Sequence, residues 1–263
     1  LAACFGSGAA TNSFDQIEDA SVLFVIGSNT TEAHPIVSLK MIKAASKGAK
    51  IIVADPRKIE LVDMASVWLN LKPGSNIALL NGMMNVILRE GLEDRDFIDR
   101  RTEGFEKLQK VALEYPPERA AKITGVPEEK IIEAARLYAR ADKAMIIYSL
   151  GITEHITGTA NVMSLGNLAM LTGNVGRPST GVMPLRGQNN VQGACDMGAL
   201  PNAYVGYQPV VDAIARSKFE KAWKVKLPAS VGRTSTQMIE REGGIKGLYI
   251  LGEDPAQTDP DTN

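Results

Sequence analysis

The sequence is poor in histidine and cysteine and has almost no net charge. Its 263 residues include two histidines and two cysteines, and the formal net charge is −1 at pH 7. This balance argues against nucleic acid as a partner, because binding to that polyanion draws on many Lys and Arg side chains. Any anion site must therefore be local, built from helix ends and a few basic side chains.

The two cysteines, Cys4 and Cys195, lie far apart, and neither belongs to a CxxC pair. This spacing excludes a zinc or iron–sulfur motif contained in the chain, and both are predicted to be small buried side chains. The two histidines, His34 and His155, are too few for a His-rich metal site. No residue of the chain is therefore predicted to bind a metal ion.

Two longer patterns are also missing. No run of about 18 apolar residues predicts a membrane span, and no charged, apolar and small-residue series predicts a signal peptide. The sequence opens at Leu1 without an initiator Met, and Asn263 follows a polar turn. We expect a piece of a longer cytoplasmic polypeptide, whose targeting signals would lie upstream.

What the sequence does contain is a series of apolar strands that alternate with helices. The predicted strands are Val22 to Ile26, Lys50 to Ala54, Val67 to Leu71 and Ala144 to Ser149. Continuous apolar strands are typical of a parallel sheet covered on both faces, and strand, helix, strand is a βαβ unit. The sequence predicts an α/β fold with a Rossmann-like, parallel-sheet domain over residues 1–185.

A weak internal repeat predicts part of a second, related α/β domain over residues 186–263. The segment VLFVIGSNTTEAHP at 22–35 is similar to GLYILGEDPAQTDP at 247–260. Each reads as an apolar strand, a glycine, a polar turn and a proline, so Gly247 to Leu251 is predicted to be a further strand.

Polar loops follow the predicted strands directly. In a doubly wound sheet, ligands bind beyond the carboxyl ends of the strands, so we expect these loops to converge on one cleft. Ser75 or Asn76 is predicted to cap the next helix, whose free amides would face an anion. Gly27 lacks the further glycines of a GxGxxG turn, which excludes an ordinary NAD site. The loops are Gly27 to Asn29, Asp55 to Arg57, Gly74 to Asn76 and Leu150 to Glu154.

The stretch PLRGQNNVQGACDMG, at 184–198, combines Arg186 with four side-chain amides and several small residues. Amides both donate and accept hydrogen bonds, and a guanidinium presents a planar fork that suits a carboxylate or phosphate. This composition favours a ligand-binding segment. The alternatives are a solvated surface loop and, for Arg186, a surface ion pair.

Together with several other segments, this stretch resembles the catalytic (alpha) subunit of molybdopterin-dependent formate dehydrogenases, in the molybdopterin oxidoreductase family. The other segments stand in the family's order: GSNTTEAHP, ADPRK, PGSNIALLN, RTEGF, AMLTGNVGRP and GEDPAQTD. In that family, two molybdopterin guanine dinucleotides hold Mo or W, which a cysteine or selenocysteine completes. The resemblance implies that this ligand, a neighbouring histidine and an iron–sulfur cluster belong to a segment before Leu1.

The resemblance also implies roles for residues of this chain. Arg186 would be the catalytic arginine that pairs with formate, the guanine would meet Asp55 or Asn76, and the phosphates would meet helix amides. Glu154 stands where the family usually has Gln, and its carboxylate could accept from pterin amino groups. A solvated or capping role stays open for both histidines. The expected cofactor-binding residues are Gly27, Ser28, Asn29, Glu32, His34, Asp55, Pro56, Arg57, Gly74, Ser75, Asn76, Leu150, Gly151, Glu154, Gly187, Gln188 and Asp254.

The function that this resemblance implies is oxidation of formate to carbon dioxide by the parent enzyme. The expected partners are formate, the missing parts of the same polypeptide and electron-transfer subunits. The chain alone is expected to be inactive, because the metal's protein ligand would lie upstream. The alternatives are a fragment of another molybdopterin oxidoreductase such as nitrate reductase, and a nucleotide-binding module without catalysis.

Overall fold

The apolar runs form a five-stranded sheet in a computed structural model of the chain, which describes residues 1–239 and 244–258. The strands lie in the order β3-β2-β1-β4-β5, and every neighbouring pair is parallel. The predicted α/β class with a Rossmann-like parallel sheet is confirmed. The strands are β1 (Val22–Ile26), β2 (Lys50–Ala54), β3 (Val67–Leu69), β4 (Ala144–Tyr148) and β5 (Gly181–Pro184).

Ten helices belong to the same part of the chain, and the longer ones cover the two faces of the sheet. Pro35 begins α3, as expected of a residue that has no backbone N–H to satisfy. The helices are α1 (Ala2–Phe5), α2 (Thr30–Ala33), α3 (Pro35–Ser46), α4 (Asn76–Arg89), α5 (Arg95–Arg101), α6 (Phe105–Leu113), α7 (Pro117–Thr124), α8 (Glu128–Ala139), α9 (Leu150–Thr153) and α10 (Gly158–Leu171). Short 3-10 turns occupy Phe14–Asp19 and Glu60–Met64.

Each face of the sheet has its own hydrophobic core, because successive side chains of a strand point to opposite faces. Phe24 and Ile26 of β1 pack in the core that α4, α8 and α10 complete. Leu23 and Val25 pack in the opposite core, with Val37 of α3. Burial on both faces explains why β1 is an uninterrupted apolar run.

An ion pair on the protein surface joins Glu90, the residue that follows α4, to Arg136 of α8. The Arg136 guanidinium donates to both carboxylate oxygens of Glu90 at 2.8–3.0 Å. These hydrogen bonds lower the pKa of Glu90, and partial burial of the carboxylate opposes them. The pair thereby adds to the packing between these two segments.

The segment that precedes β1 covers the free edge of β5. The Thr11 N–H donates to the Val182 carbonyl at 3.2 Å, and the Val182 N–H donates to the Thr11 hydroxyl at 2.9 Å. Gly181 has φ 112°, and a side chain there would collide with Thr11. The outer hydrogen-bonding groups of Val182 are thereby satisfied although no sixth strand lies beside it.

The chain divides into two compact units, Leu1–Asn189 and Asn190–Asn263. In the second unit, Tyr204, Val210, Ala215 and Phe219 form a small core. Asp212 caps α12, its carboxylate accepting from the Ile214 N–H at 2.8 Å. The elements of this unit are α11 (Val191–Asp196), the antiparallel strands β6 (Ala203–Tyr204) and β7 (Gln208–Pro209), α12 (Ala213–Trp223), α13 (Ser235–Ile239) and α14 (Pro255–Thr258).

The strand predicted over Gly247 to Leu251 is wrong. Residues 244–251 have no regular secondary structure, and Leu248, Tyr249, Ile250 and Leu251 are exposed. A strand needs a neighbour for its backbone groups, and the described residues of this unit offer one two-residue ladder, already paired. The end of the second repeat copy, 259–260, lies outside the described residues.

The burial predicted for the two cysteines is also wrong. Cys4 and Cys195 are both partly exposed, and neither forms a disulfide. Cys4 lies on α1, a single turn that rests on α10 beside Gly166. A helix of one turn has too little of its own bulk to shield such a side chain from solvent.

Candidate functional site

The strand order reverses between β1 and β4, and the two loops that follow these strands touch. The Gly151 N–H donates to the Gly27 carbonyl at 3.1 Å. Gly27 has φ +57°, and a Cβ there would lie 2.6 Å from the Gly151 carbonyl carbon. Only glycine permits so close an approach. The crevice at such a reversal is where doubly wound sheets bind ligands.

The loop after β2 is fixed by hydrogen bonds of Asp55. Its buried carboxylate accepts from the Arg57 N–H at 2.8 Å, and its carbonyl accepts from the Trp68 indole at 3.0 Å. The next carbonyl, that of Pro56, accepts from the Asn70 side chain at 2.8 Å. The loop is thereby tied to β3, while the Arg57 side chain remains largely exposed.

The loop after β3 leads into α4 without the predicted cap. Ser75 stands at the N-cap position, but its hydroxyl donates to the Lys72 carbonyl at 2.6 Å and accepts no helix N–H. The capping prediction is therefore wrong for Ser75, because its hydroxyl is bonded within the preceding turn and accepts nothing from the helix. Uncapped first-turn amides, together with the helix dipole, suit an anion.

Four of these loops line one cavity of about 400 Å³. Its walls include most of the residues predicted to bind a cofactor, and its size is typical of ligand sites. The predicted residues on the walls are Gly27, Ser28, Asn29, His34, Asp55, Pro56, Arg57, Gly74, Asn76, Leu150, Gly151 and Gly187. The structure thus brings together residues up to 160 positions apart; their role toward a ligand stays a prediction.

Several predicted residues lie elsewhere. Glu32 and Glu154 are exposed and do not line the cavity. Ser75 is buried with its hydroxyl turned to Lys72. Arg186 and Gln188 flank the wall residue Gly187 but are not themselves on the wall. The remaining one, Asp254, belongs to the second unit, where its carbonyl accepts from the first turn of α14.

Sequence reasoning missed Lys72 and left His155 off the set of cofactor-binding residues, although both line the cavity. The His155 ring contacts the Gly151 carbonyl at 2.9 Å, which fixes it against its own loop. Lys72 directly precedes the Pro73-Gly74 turn. Its place after β3 was a usable signal, because a cation beside an uncapped helix start strengthens an anion site.

Arg186 follows β5 and is exposed, with anchors on both its side chain and its backbone. Its guanidinium donates to the Gly8 carbonyl at 3.2 Å, and its carbonyl lies 2.6 Å from His34 Nε2. The positive charge of Arg186 also acts on Tyr148. Burial raises the pKa of Tyr148 to about 12, and the guanidinium opposes that rise by favouring the phenolate.

With this geometry in place, comparison with known proteins identifies the family. A family model described as Molybdopterin oxidoreductase matches residues 3–263. The chain belongs to the molybdopterin oxidoreductase family. The family implies a molybdenum or tungsten pterin cofactor, as the sequence resemblance predicted.

Individual relatives agree with this assignment. The chain is 52% identical over 262 residues to the F420-dependent formate dehydrogenase subunit alpha of Methanocaldococcus jannaschii, covering 99% of this chain and 39% of the relative. It is 51% identical over 257 residues to formate dehydrogenase H of Escherichia coli, covering 97% and 36%. The chain therefore spans less than half the length of these curated relatives.

A solved structure is also similar to this molybdopterin oxidoreductase chain. Acetylene hydratase from Pelobacter acetylenicus aligns with a TM-score of 0.60 at 30% sequence identity. The alignment covers 65% of this chain and 23% of the other. It supports the α/β architecture derived above from strand order.

The chemistry of the cavity walls fits the pterin cofactor that the family implies. Arg57 and Lys72 supply positive charge, and the start of α4 supplies free amides. The Ser28 hydroxyl is buried and has no hydrogen-bond partner within residues 1–239 and 244–258, which leaves a polar group available to a ligand. The same residues contain no group of three His, Cys, Asp or Glu side chains placed to hold a metal ion. No helix among them is long and apolar enough to cross a membrane.

Proposed function

We propose that this chain is part of the large subunit of a formate dehydrogenase, and that its cavity binds one molybdopterin guanine dinucleotide. The observation that carries the proposal is the cavity at the strand-order reversal, with Arg186 adjacent to its wall residue Gly187. The identity to a formate dehydrogenase subunit alpha and to formate dehydrogenase H along nearly the whole chain supports formate as the substrate.

Different cavity residues would bind the phosphates and the guanine of the dinucleotide. The phosphates would meet the first amides of α4 together with Lys72 and Arg57, because all of these favour negative charge. The guanine, which offers N–H donors and a carbonyl acceptor, would meet Asp55 and Asn76, both of them buried at the same wall. Gly27 and Gly151 would let the backbone approach the ligand without side chains in the way.

Arg186 would hold formate by its carboxylate. A guanidinium binds a carboxylate with two parallel hydrogen bonds, which fixes direction as well as distance. The contact of its guanidinium with the Gly8 carbonyl limits where the fork can point. Formate held in this way loses a proton and two electrons to become carbon dioxide. The metal and pterin, when bound, supply the acceptor for those electrons.

The other parts of the system belong to the same proposal. The metal's cysteine or selenocysteine ligand, the iron–sulfur cluster and the electron-transfer subunits are expected from the family's organisation, as is a cytoplasmic location. Formate is thereby oxidised at one place, and its electrons are passed to another protein. The 263-residue chain alone is expected not to oxidise formate, because it does not supply the metal's protein ligand.

The test is formate-dependent dye reduction by the full-length enzyme with Arg186→Lys. Lysine keeps the charge but loses the bidentate fork, so turnover should fall on the order of 100-fold, the scale of a misplaced substrate. The matched control is Lys107→Ala, an exposed change in α6, which should leave the rate unchanged. Metal and guanine nucleotide content are measured for each protein, so that rates are compared at equal loading.

Two outcomes would contradict the proposal. An Arg186→Lys enzyme as fast as the wild type would remove Arg186 from the active site. A fully loaded enzyme that reduces nitrate but does not oxidise formate would assign the chain to a different reaction within the family.

A further inference from the structure

The main chain that carries Arg186 is held to the sheet up to the preceding residue. The Leu185 N–H donates to the Tyr148 carbonyl at 2.8 Å, and the Leu185 carbonyl accepts from the Ser149 hydroxyl at 3.1 Å. Residues 186–189 are exposed and lie in no helix or strand. The ladder therefore ends one residue before Arg186, so an anchor on the Arg186 main chain would help to place the guanidinium, which itself donates to the Gly8 carbonyl.

His34 supplies an anchor at that point. Its Nε2 lies 2.6 Å from the Arg186 carbonyl oxygen. Because a carbonyl oxygen only accepts, the ring proton must be on Nε2, and this partner fixes the tautomer. The Nδ1 atom is buried and has no hydrogen-bond partner within the described residues, so the ring is oriented by the bond to Arg186.

The backbone of His34 is itself rigidly placed. Its N–H donates to the Thr30 carbonyl at 3.0 Å, and its carbonyl accepts from the Ser38 N–H at 3.0 Å. These bonds tie it to the end of α2 and the start of α3, beyond β1. In the sheet, β4 lies between β1 and β5. The ring therefore reaches across the end of β4 and connects the segments that follow two non-adjacent strands.

We propose that His34 is a positioning residue for Arg186, which fixes the main chain from which the guanidinium reaches formate. This inference rests on the function proposed above. It gives His34 a role through Arg186 that is distinct from direct contact with the cofactor. Without the bond, the segment after Leu185 gains freedom, and the guanidinium occupies its formate-binding position for a smaller fraction of the time.

Three substitutions in the full-length enzyme distinguish this hydrogen-bonding role of His34 from a role in packing. His34→Gln retains a donor, because the glutamine amide nitrogen lies as many bonds from Cβ as Nε2 does. In His34→Asn the donor nitrogen lies one bond closer to Cβ, so it stops short of the Arg186 carbonyl. His34→Ala removes the donor. Lys47→Ala is the control, since it removes an exposed ion pair with Asp19 at the other end of α3.

The measurements are KM and kcat for formate, and the dissociation constant of azide, an unreactive monoanion of similar size, at equilibrium. For His34→Asn and His34→Ala, we expect KM and the azide constant to rise roughly five- to tenfold, the scale of one lost hydrogen bond. For His34→Gln and Lys47→Ala, KM and the azide dissociation constant should stay within about twofold of the wild-type values. Metal and guanine nucleotide content should not change.

The positioning role would be overturned if His34→Asn bound formate and azide as the wild type does, or if His34→Gln were as weak as His34→Asn. This pair decides the matter even if His34→Ala fails to fold. A loss of cofactor content in His34→Asn, with normal azide affinity in the loaded fraction, would also overturn it. Failure of the proposed function looks different, because the wild type itself would then not oxidise formate.

Discussion

The contact between Gly27 and Gly151 yields a quantitative prediction about stability. In Gly27→Ala, the new Cβ would lie 2.6 Å from the Gly151 carbonyl carbon, at φ +57°. The left-handed backbone costs an L-residue about 1–2 kcal/mol, and forcing two backbones apart in a packed site costs about 1–3 kcal/mol. We therefore expect Gly27→Ala to lower the free energy of unfolding by about 2–5 kcal/mol, a large share of a typical domain's stability.

Two matched substitutions separate these contributions. Gly74→Ala also places a side chain at positive φ, +82°, but nothing lies within 4 Å of the new atom. It should cost about 1–2 kcal/mol, the backbone term alone. Gly151→Ala meets the Gly27 Cα at 2.7 Å without a positive φ, so it should cost about 1–3 kcal/mol, the steric term alone.

The assay is equilibrium urea unfolding of the wild type and the three variants, followed by circular dichroism. Equal urea dependence across the set would show that only stability has changed. The reasoning would be refuted if Gly27→Ala cost no more than Gly74→Ala, because the close approach of the two loops would then contribute nothing. It would equally be refuted if Gly151→Ala were neutral.

Two further predictions concern titration. The Arg136 hydrogen bonds lower the pKa of Glu90, so this pair stabilises the fold above the carboxyl's unfolded pKa and is lost as pH falls through the lowered value. Glu90→Gln should therefore cost less than about 1 kcal/mol at pH 7, and urea midpoints of variant and wild type should converge in acid. Burial raises the pKa of Tyr148 to about 12. The stability that its neutral phenol contributes to the fold is therefore constant below the usual pKa of tyrosine and is lost as pH rises through the folded-state pKa. Ultraviolet titration should show one late-ionising phenol fewer in Tyr148→Phe, and an unchanged curve would contradict the burial argument.

Much of the fold could be predicted because apolar runs and sheet burial are directly linked. β1 and β2 occupy the predicted residues, since both faces of each strand are covered and every position except the exposed Lys50 is apolar. β5 was not predicted. Its four residues, GVMP, begin with glycine and end with proline, two residues that are rare inside strands. It forms because the neighbouring β4 offers a complete row of backbone partners.

The wrong strand at 247–251 shows the limit of the same reasoning. GLYIL is mostly apolar, like VLFVI in β1, yet its residues are exposed. β1 lies between β2 and β4, whereas 247–251 has no such neighbours within the described part of the second unit. Apolar composition makes a strand possible, but long-range pairing decides whether it forms.

In the candidate site, too, some features could be predicted from the sequence and others could not. The convergence of the loops followed from parallel topology, because the carboxyl ends of all five strands point the same way. The contact between His34 and Arg186 could not be predicted, since it joins residues 152 positions apart through one ring nitrogen. Ser75 illustrates a local failure, because its hydroxyl donates to the carbonyl three residues back and accepts no helix N–H.

The cover that Thr11 provides for β5 also affects self-association of the protein. An uncovered edge strand exposes free backbone donors and acceptors and can recruit another chain into a continuous sheet. Here one threonine satisfies both outward groups of Val182, and the adjacent Asn12 side chain donates to the Arg177 carbonyl at 3.2 Å. The residues before β1 thus protect β5 from intermolecular strand addition. Deleting them would favour aggregation, although the strands and both cores would remain intact.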